Sequence, residues 1–138
     1  MNKIMTALAF VSVVFYFALV SSFTSAGPIY SHKALINTPW TQEEKEKNIA
    51  IKHLERNEHM SSHLVRIKGK EPPHVHDHHS MVVTVVSGSS VIHLAERKVS
   101  LQPGDIIMLS KGEFHWVENI GEEASVAHVV FSPPLKLA

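Results

Sequence analysis

From Asn48 to Phe131 the chain is cut into short apolar runs by turn residues that recur roughly every 8–12 positions. Ile49 and Ile51, then His63-Leu64-Val65-Arg66-Ile67, alternate as half-buried strands do, because successive side chains of a strand point to opposite faces. Met81 to Val86 is nearly all apolar, which predicts a strand covered on both faces. Val91–Leu94, Arg97–Leu101, Ile106–Leu109, Phe114–Val117 and Ala124–Phe131 follow. Gly88-Ser89-Ser90, Gly104-Asp105, Lys111-Gly112-Glu113 and Asn119-Ile120-Gly121 punctuate them, and Pro133-Pro134 ends the last. No heptad pattern and no internal repeat appears. A series of this kind buries its apolar faces by stacking two sheets or by closing one, so the expected fold is an all-β antiparallel sandwich or barrel.

The first residues read differently. Lys3 precedes an apolar run from Ile4 to Val20, and Thr24-Ser25-Ala26 supplies small residues after it. A charged start, an apolar stretch and a small-residue junction make residues 1–26 a secretory signal peptide. An uncleaved membrane anchor is the rival reading, but the run falls short of a comfortable span. The expected compartment is secreted or periplasmic, with no membrane contact once the signal is removed. Residues 27–45 are polar and turn-rich and form an N-terminal arm, with Thr41 and Glu44 placed for a capping box over one helical turn. Trp40 serves to pin that arm, most simply to its own subunit. Residues 46–138 form the barrel domain. Removing 26 residues from 138 leaves 112, enough for one ordinary core. The chain has no cysteine, so packing alone must hold it. Basic and acidic residues are balanced at 13 each, which gives no electrostatic reason to expect nucleic acid as a partner.

The compositional oddity is 11 histidines, all after the signal. Two segments organise them: Gly69-x4-His74-x-His76-x4-Met81-x6-Gly88 and Gly104-x5-Ser110-x-Gly112-x2-His115-x3-Asn119. In a strand His74 and His76 point the same way, one pleat apart, and can chelate one ion. His115 follows the Pro103-Gly104-Asp105 turn in a second strand-like segment and supplies a third imidazole. His79 shares parity with Met81, and either residue is a candidate fourth ligand. The simpler reading makes Met81 a core filler and His79 an exposed loop residue. His63, His93 and His128 lie in apolar strands, where a packed, hydrogen-bonded histidine is commoner than a catalytic one. Phe114 and Trp116, of opposite parity to His115, should pack outside the wall, and Asn119 should make a turn hydrogen bond.

Those two segments resemble the paired motifs of the small single-domain cupins, G-x5-H-x-H-x3,4-E-x6-G and G-x5-P-x-G-x2-H-x3-N. The resemblance covers about residues 45–134. Gly69 stands one residue nearer to His74 than the pattern asks, Ser110 replaces the proline, and Met81 replaces the glutamate that normally supplies a fourth ligand. The resemblance implies a cupin-type antiparallel β-barrel that binds one divalent transition metal: iron, zinc, manganese, nickel or copper. It also makes a homodimer an expected partner state. The function it implies is a metal-binding cupin of the cell envelope acting on, or binding, a small organic molecule. Dioxygenase-type chemistry, or isomerase or lyase work, would suit the open metal positions. The alternative is a non-catalytic module that holds a metal or small ligand.

Overall fold

The computed structural model describes residues 27–136, so the expected signal peptide, residues 1–26, lies outside the described residues. Two short helices open the described chain, α1 (His32–Ile36) and α2 (Gln42–Glu46), where the sequence suggested one helical turn. The capping box at the second is present: the Thr41 hydroxyl accepts from the Glu44 N–H, and the Thr41 N–H donates to the Glu44 carboxylate. Ser31 caps α1 through its hydroxyl in the same way, a signal that polar composition alone hid. Among the described residues no helix is long and apolar enough to cross a membrane.

Eight strands follow: β1 (Ile49–Arg56), β2 (Ser61–Ile67), β3 (Ser80–Ser87), β4 (Ser90–Leu94), β5 (Lys98–Leu101), β6 (Ile106–Leu109), β7 (His115–Asn119) and β8 (Ser125–Ser132). They form a five-stranded sheet of order β1-β2-β8-β3-β6 and a three-stranded sheet of order β5-β4-β7. Every pairing between these strands is antiparallel. The expected all-β antiparallel architecture is therefore what the chain adopts. β8 lies at the centre of the larger sheet, with Val129 opposite His63 on one side and Val83 on the other.

Alternation decides what each face does. On β2, Val65 and Ile67 face the space between the sheets, whereas Leu64 turns to the outer face and is wholly buried there. Burial of such a side chain contributes about 1.5–3 kcal/mol. It is covered by Leu35 and Trp40 of the arm together with Leu54 of β1, which pack on the cluster of Leu64, Val86 and Val126. Trp40 thus pins the arm to its own chain, and Lys52 sits 5.2 Å above its ring. The main core joins both sheets: Met81, Val85, Leu109, Val129 and Phe131 from the larger meet Ile92 and Leu101 from the smaller.

Gly88 turns β3 into β4 with φ at +84°, and a Cβ there would stand 2.7 Å from the Ser125 backbone. Only glycine fits so close an approach in that region of backbone space.

Candidate metal centre

His115 opens β7, and its backbone exchanges both hydrogen bonds with His74, each 3.0 Å. The segment carrying His74 and His76 is not the regular strand the sequence suggested; it touches β7 through isolated bridges at Lys70 and His74. Pro72 and Pro73 are the reason, because proline has no N–H to give to a ladder. The segment nevertheless lies along β7, with the Glu71 N–H donating to the Val117 carbonyl at 2.9 Å. Both histidines still turn inward.

The three imidazoles converge. His74 Nε2 and His76 Nε2 are 3.0 Å apart. The His115 ring centroid lies 4.5 Å from that of His74 and 5.3 Å from that of His76. One nitrogen from each of the three falls within 4.8 Å of the others. Metal–nitrogen distances of 2.0–2.1 Å place two ligand atoms about 2.9 Å apart at a right angle and about 3.3 Å apart at a tetrahedral one. The His74–His76 spacing lies in that interval.

Hydrogen bonds fix which nitrogen faces inward. His74 Nδ1–H donates to the Pro72 carbonyl and His115 Nδ1–H to the Glu113 carbonyl, both at 2.8 Å. A ring that donates from Nδ1 and is neutral carries its lone pair on Nε2, the arrangement a metal ligand needs. Burial, reinforced by the neighbouring imidazoles of His74, His115 and His79, pushes the His76 pKa down to about 4. His76 is therefore neutral at pH 7.

The group of three does not include His79. His79 donates from Nδ1 to the Pro133 carbonyl at 2.8 Å, and its ring centroid stands 6.3 Å from that of His76. Met81 is buried in the main core, facing the cavity. His63, His93 and His128 do not line that cavity. His63 is buried against His53 and Ser61, with nitrogen–nitrogen and nitrogen–oxygen distances of 2.7 and 2.8 Å. His93 stacks on Trp116 with centroids 3.6 Å apart, away from the cavity. Phe114 is exposed, as expected of a residue outside the wall. Asn119 ties the loop after β7 together: its amide donates to the carbonyls of Lys68, Gly121 and Glu123, and its oxygen accepts from Ser125 Oγ at 2.7 Å.

The cavity between the sheets is about 320 Å³ and is walled by aliphatic side chains, Phe131 and the three histidines. Sequence reasoning missed one of its residues. Glu71 is half-buried in the wall, where its Oε2 accepts the Val117 N–H at 3.0 Å. Burial raises its pKa, against the opposing pull of His74, the Val117 N–H and His115. In a polar stretch between Gly69 and His74 an isolated glutamate reads as a solvated charge. Its one signal was its place within the first motif.

A cupin domain model matches residues 63–131. An uncharacterized protein of Aquifex aeolicus (strain VF5) is 34% identical over 87 residues, spanning 63% of this chain and 71% of that protein. Among solved structures, KdgF from a Halomonas species superposes with a TM-score of 0.59 at 27% identity, over 64% of this chain and 82% of that one. TT1209 from Thermus thermophilus superposes with a TM-score of 0.63 at 24% identity, over 78% and 98%. A predicted oxalate decarboxylase from Thermotoga maritima, 21% identical with a TM-score of 0.56 over 62% and 80%, shares the fold. Matched motifs, converging histidines and a two-sheet antiparallel architecture agree, and the chain belongs to the cupin domain family.

Proposed function

We propose that this chain is an envelope cupin that holds one divalent transition metal on His74, His76 and His115 and acts on a small organic molecule in the adjoining cavity. The observation that carries the reading is the 3.0 Å approach of two Nε2 atoms beside a third imidazole, with two of the rings tethered through Nδ1. Three neutral ligands leave the full charge on a bound dication, since Met81 stands where the family's motif has a carboxylate. Such an ion supplies Lewis acidity and open positions, suited to dioxygenase-type chemistry or to isomerase or lyase work. The chain's own residues would orient the ligand nitrogens, exclude bulk water with aliphatic walls and offer the Glu71 carboxylate to the reactants.

Protein purified without chelator should carry close to one transition metal per chain, and its mass should correspond to a mature chain beginning at Gly27. H115A should lose most of that metal. Oxygen uptake or product formation with a panel of phenols, thiols and uronates should disappear on chelation. Metal-free wild-type protein, or unchanged metal content in H115A, would end the metal reading. Full metal content without turnover of any substrate would favour the non-catalytic binding module. A mass retaining residues 1–26 would end the cleavage reading.

A further inference from the structure

Past β8 the chain leaves the sheet at one end of the sandwich. Ser61 pairs with Phe131 and Ser80 with Ser132, so the start of β2, the end of β8 and the start of β3 lie side by side. Side-chain hydrogen bonds hold residues 132–135 at this end. The Ser132 hydroxyl donates to the His59 carbonyl at 3.1 Å, and His79 Nδ1–H to the Pro133 carbonyl at 2.8 Å. Around Leu135 both backbone groups are engaged. Its N–H donates to Ser61 Oγ at 2.9 Å, and its carbonyl accepts from Arg56 Nη1. Ser61 is buried and braced in turn, with its Oγ 2.8 Å from His63 Nε2.

These bonds fix the backbone of a residue that no sheet ladder holds. The Leu135 side chain lines the cavity and packs on the main core. Among the described residues it is the one part of the lining that comes from beyond the last strand. The cavity, about 320 Å³, lies at the small end of ligand pockets, which run from about 300 to 1,000 Å³. In a space that small, walls packed as closely as a protein interior respond to a single methylene. Leu135 is thus a place where the size of the cavity can be set without disturbing any strand pairing.

We propose that Leu135 is the end wall of the cavity and sets the length of the molecule it admits, with Arg56, Ser61 and His79 holding that wall in place. The proposal rests on reading this cavity as the ligand site. The test is isothermal titration of alkylbenzenes, from toluene to n-hexylbenzene, into the purified protein at pH 7. These probes carry no atom that ligates a metal, so they report the apolar space alone.

In the wild type, affinity should rise roughly fourfold with each added methylene until the chain meets the wall. It should then fall roughly tenfold at the next member. Leu135→Ala trims the side chain by about three carbons and should move that break about two carbons towards longer chains. Leu135→Phe should move it towards shorter ones. A merely structural role would lower every affinity in both variants and leave the break in place. The double variant Arg56→Gln, Ser61→Ala keeps the leucine and frees its backbone. It should bind the first member beyond the break roughly tenfold tighter than the wild type does. An unmoved break in both Leu135 variants, or no binding of any member by the wild type, would overturn the proposal. A double variant that behaves as the wild type would overturn the role given to the tethers. Elemental analysis of the same samples separates the two readings. A metal-poor protein whose break moves as expected sinks the metal site alone, whereas a metal-loaded protein whose break stays put sinks this proposal alone.

Discussion

A ligand histidine has two nitrogens with different tasks, and at His74 and His115 the backbone settles them. Each Nδ1–H is held by a carbonyl two residues earlier, from Pro72 and Glu113, so each ring is oriented by its own local chain. Asn119 works on the same scale at the other end of β7. Its side chain joins Lys68, Gly121, Glu123 and Ser125, and thereby ties the start of the His74 segment to the loop that follows the His115 strand. Asn119→Ala removes these bonds and leaves exposed carbonyls and a part-buried hydroxyl to find water. The expected cost is about 1–2 kcal/mol, seen as a lower urea midpoint with an unchanged slope. A midpoint equal to that of the wild type would show that solvent replaces the asparagine without loss.

At the scale of elements, the arm and the sheet depend on each other. The outer side of the larger sheet would leave Leu64, Val86 and Val126 in water were Leu35 and Trp40 not laid over them. Lys52 reinforces the contact from β1, through its position over the Trp40 ring and its 2.8 Å ion pair with Glu44 of α2. Trp40→Ala should cost about 2 kcal/mol, less than for a fully enclosed tryptophan because Trp40 is half-buried. Urea unfolding followed by circular dichroism measures it, and an unaltered midpoint would mean the arm is not docked in solution.

What the sequence revealed at this scale follows from physics that is local. The strands were legible because alternation and turn chemistry are written in neighbouring residues, and the Thr41–Glu44 box because it spans a single turn. The His74–His76 segment was misread as a strand because His-x-His suggests a pleat, whereas Pro72 and Pro73 deny the ladder its donors. His74, His76 and His115 were legible as a set only through motif spacing. Glu71 was not, since its burial is created by β7, a partner far along the chain.

The whole molecule carries an acid sensitivity that follows from where its histidines are placed. Burial lowers the pKa values of His63, His76 and His128, with His76 reaching about 4. An unfolded chain takes up protons at these positions near pH 6.5, while the folded protein resists them. The unfolded state thus binds more protons between pH 6.5 and about 4, so stability is fully present above pH 6.5 and falls as the pH drops through that window. Glu71 acts in the opposite sense, since its raised pKa makes the folded state the better proton acceptor just above the ordinary carboxyl range. One carboxyl does not offset three imidazoles. For chelator-treated protein, the unfolding free energy should fall between pH 7 and pH 5, with His76 contributing about 1 kcal/mol after allowance for its partial exposure. Replacing His76 with glutamine, which does not titrate, should flatten that slope by its share. A bound divalent ion should steepen the loss in the wild type, because protons and metal compete for the same nitrogens. Equal stability at the two pH values in the metal-free protein would show that these rings are solvated in the folded state, and that the space between the sheets is wetter than its aliphatic walls imply.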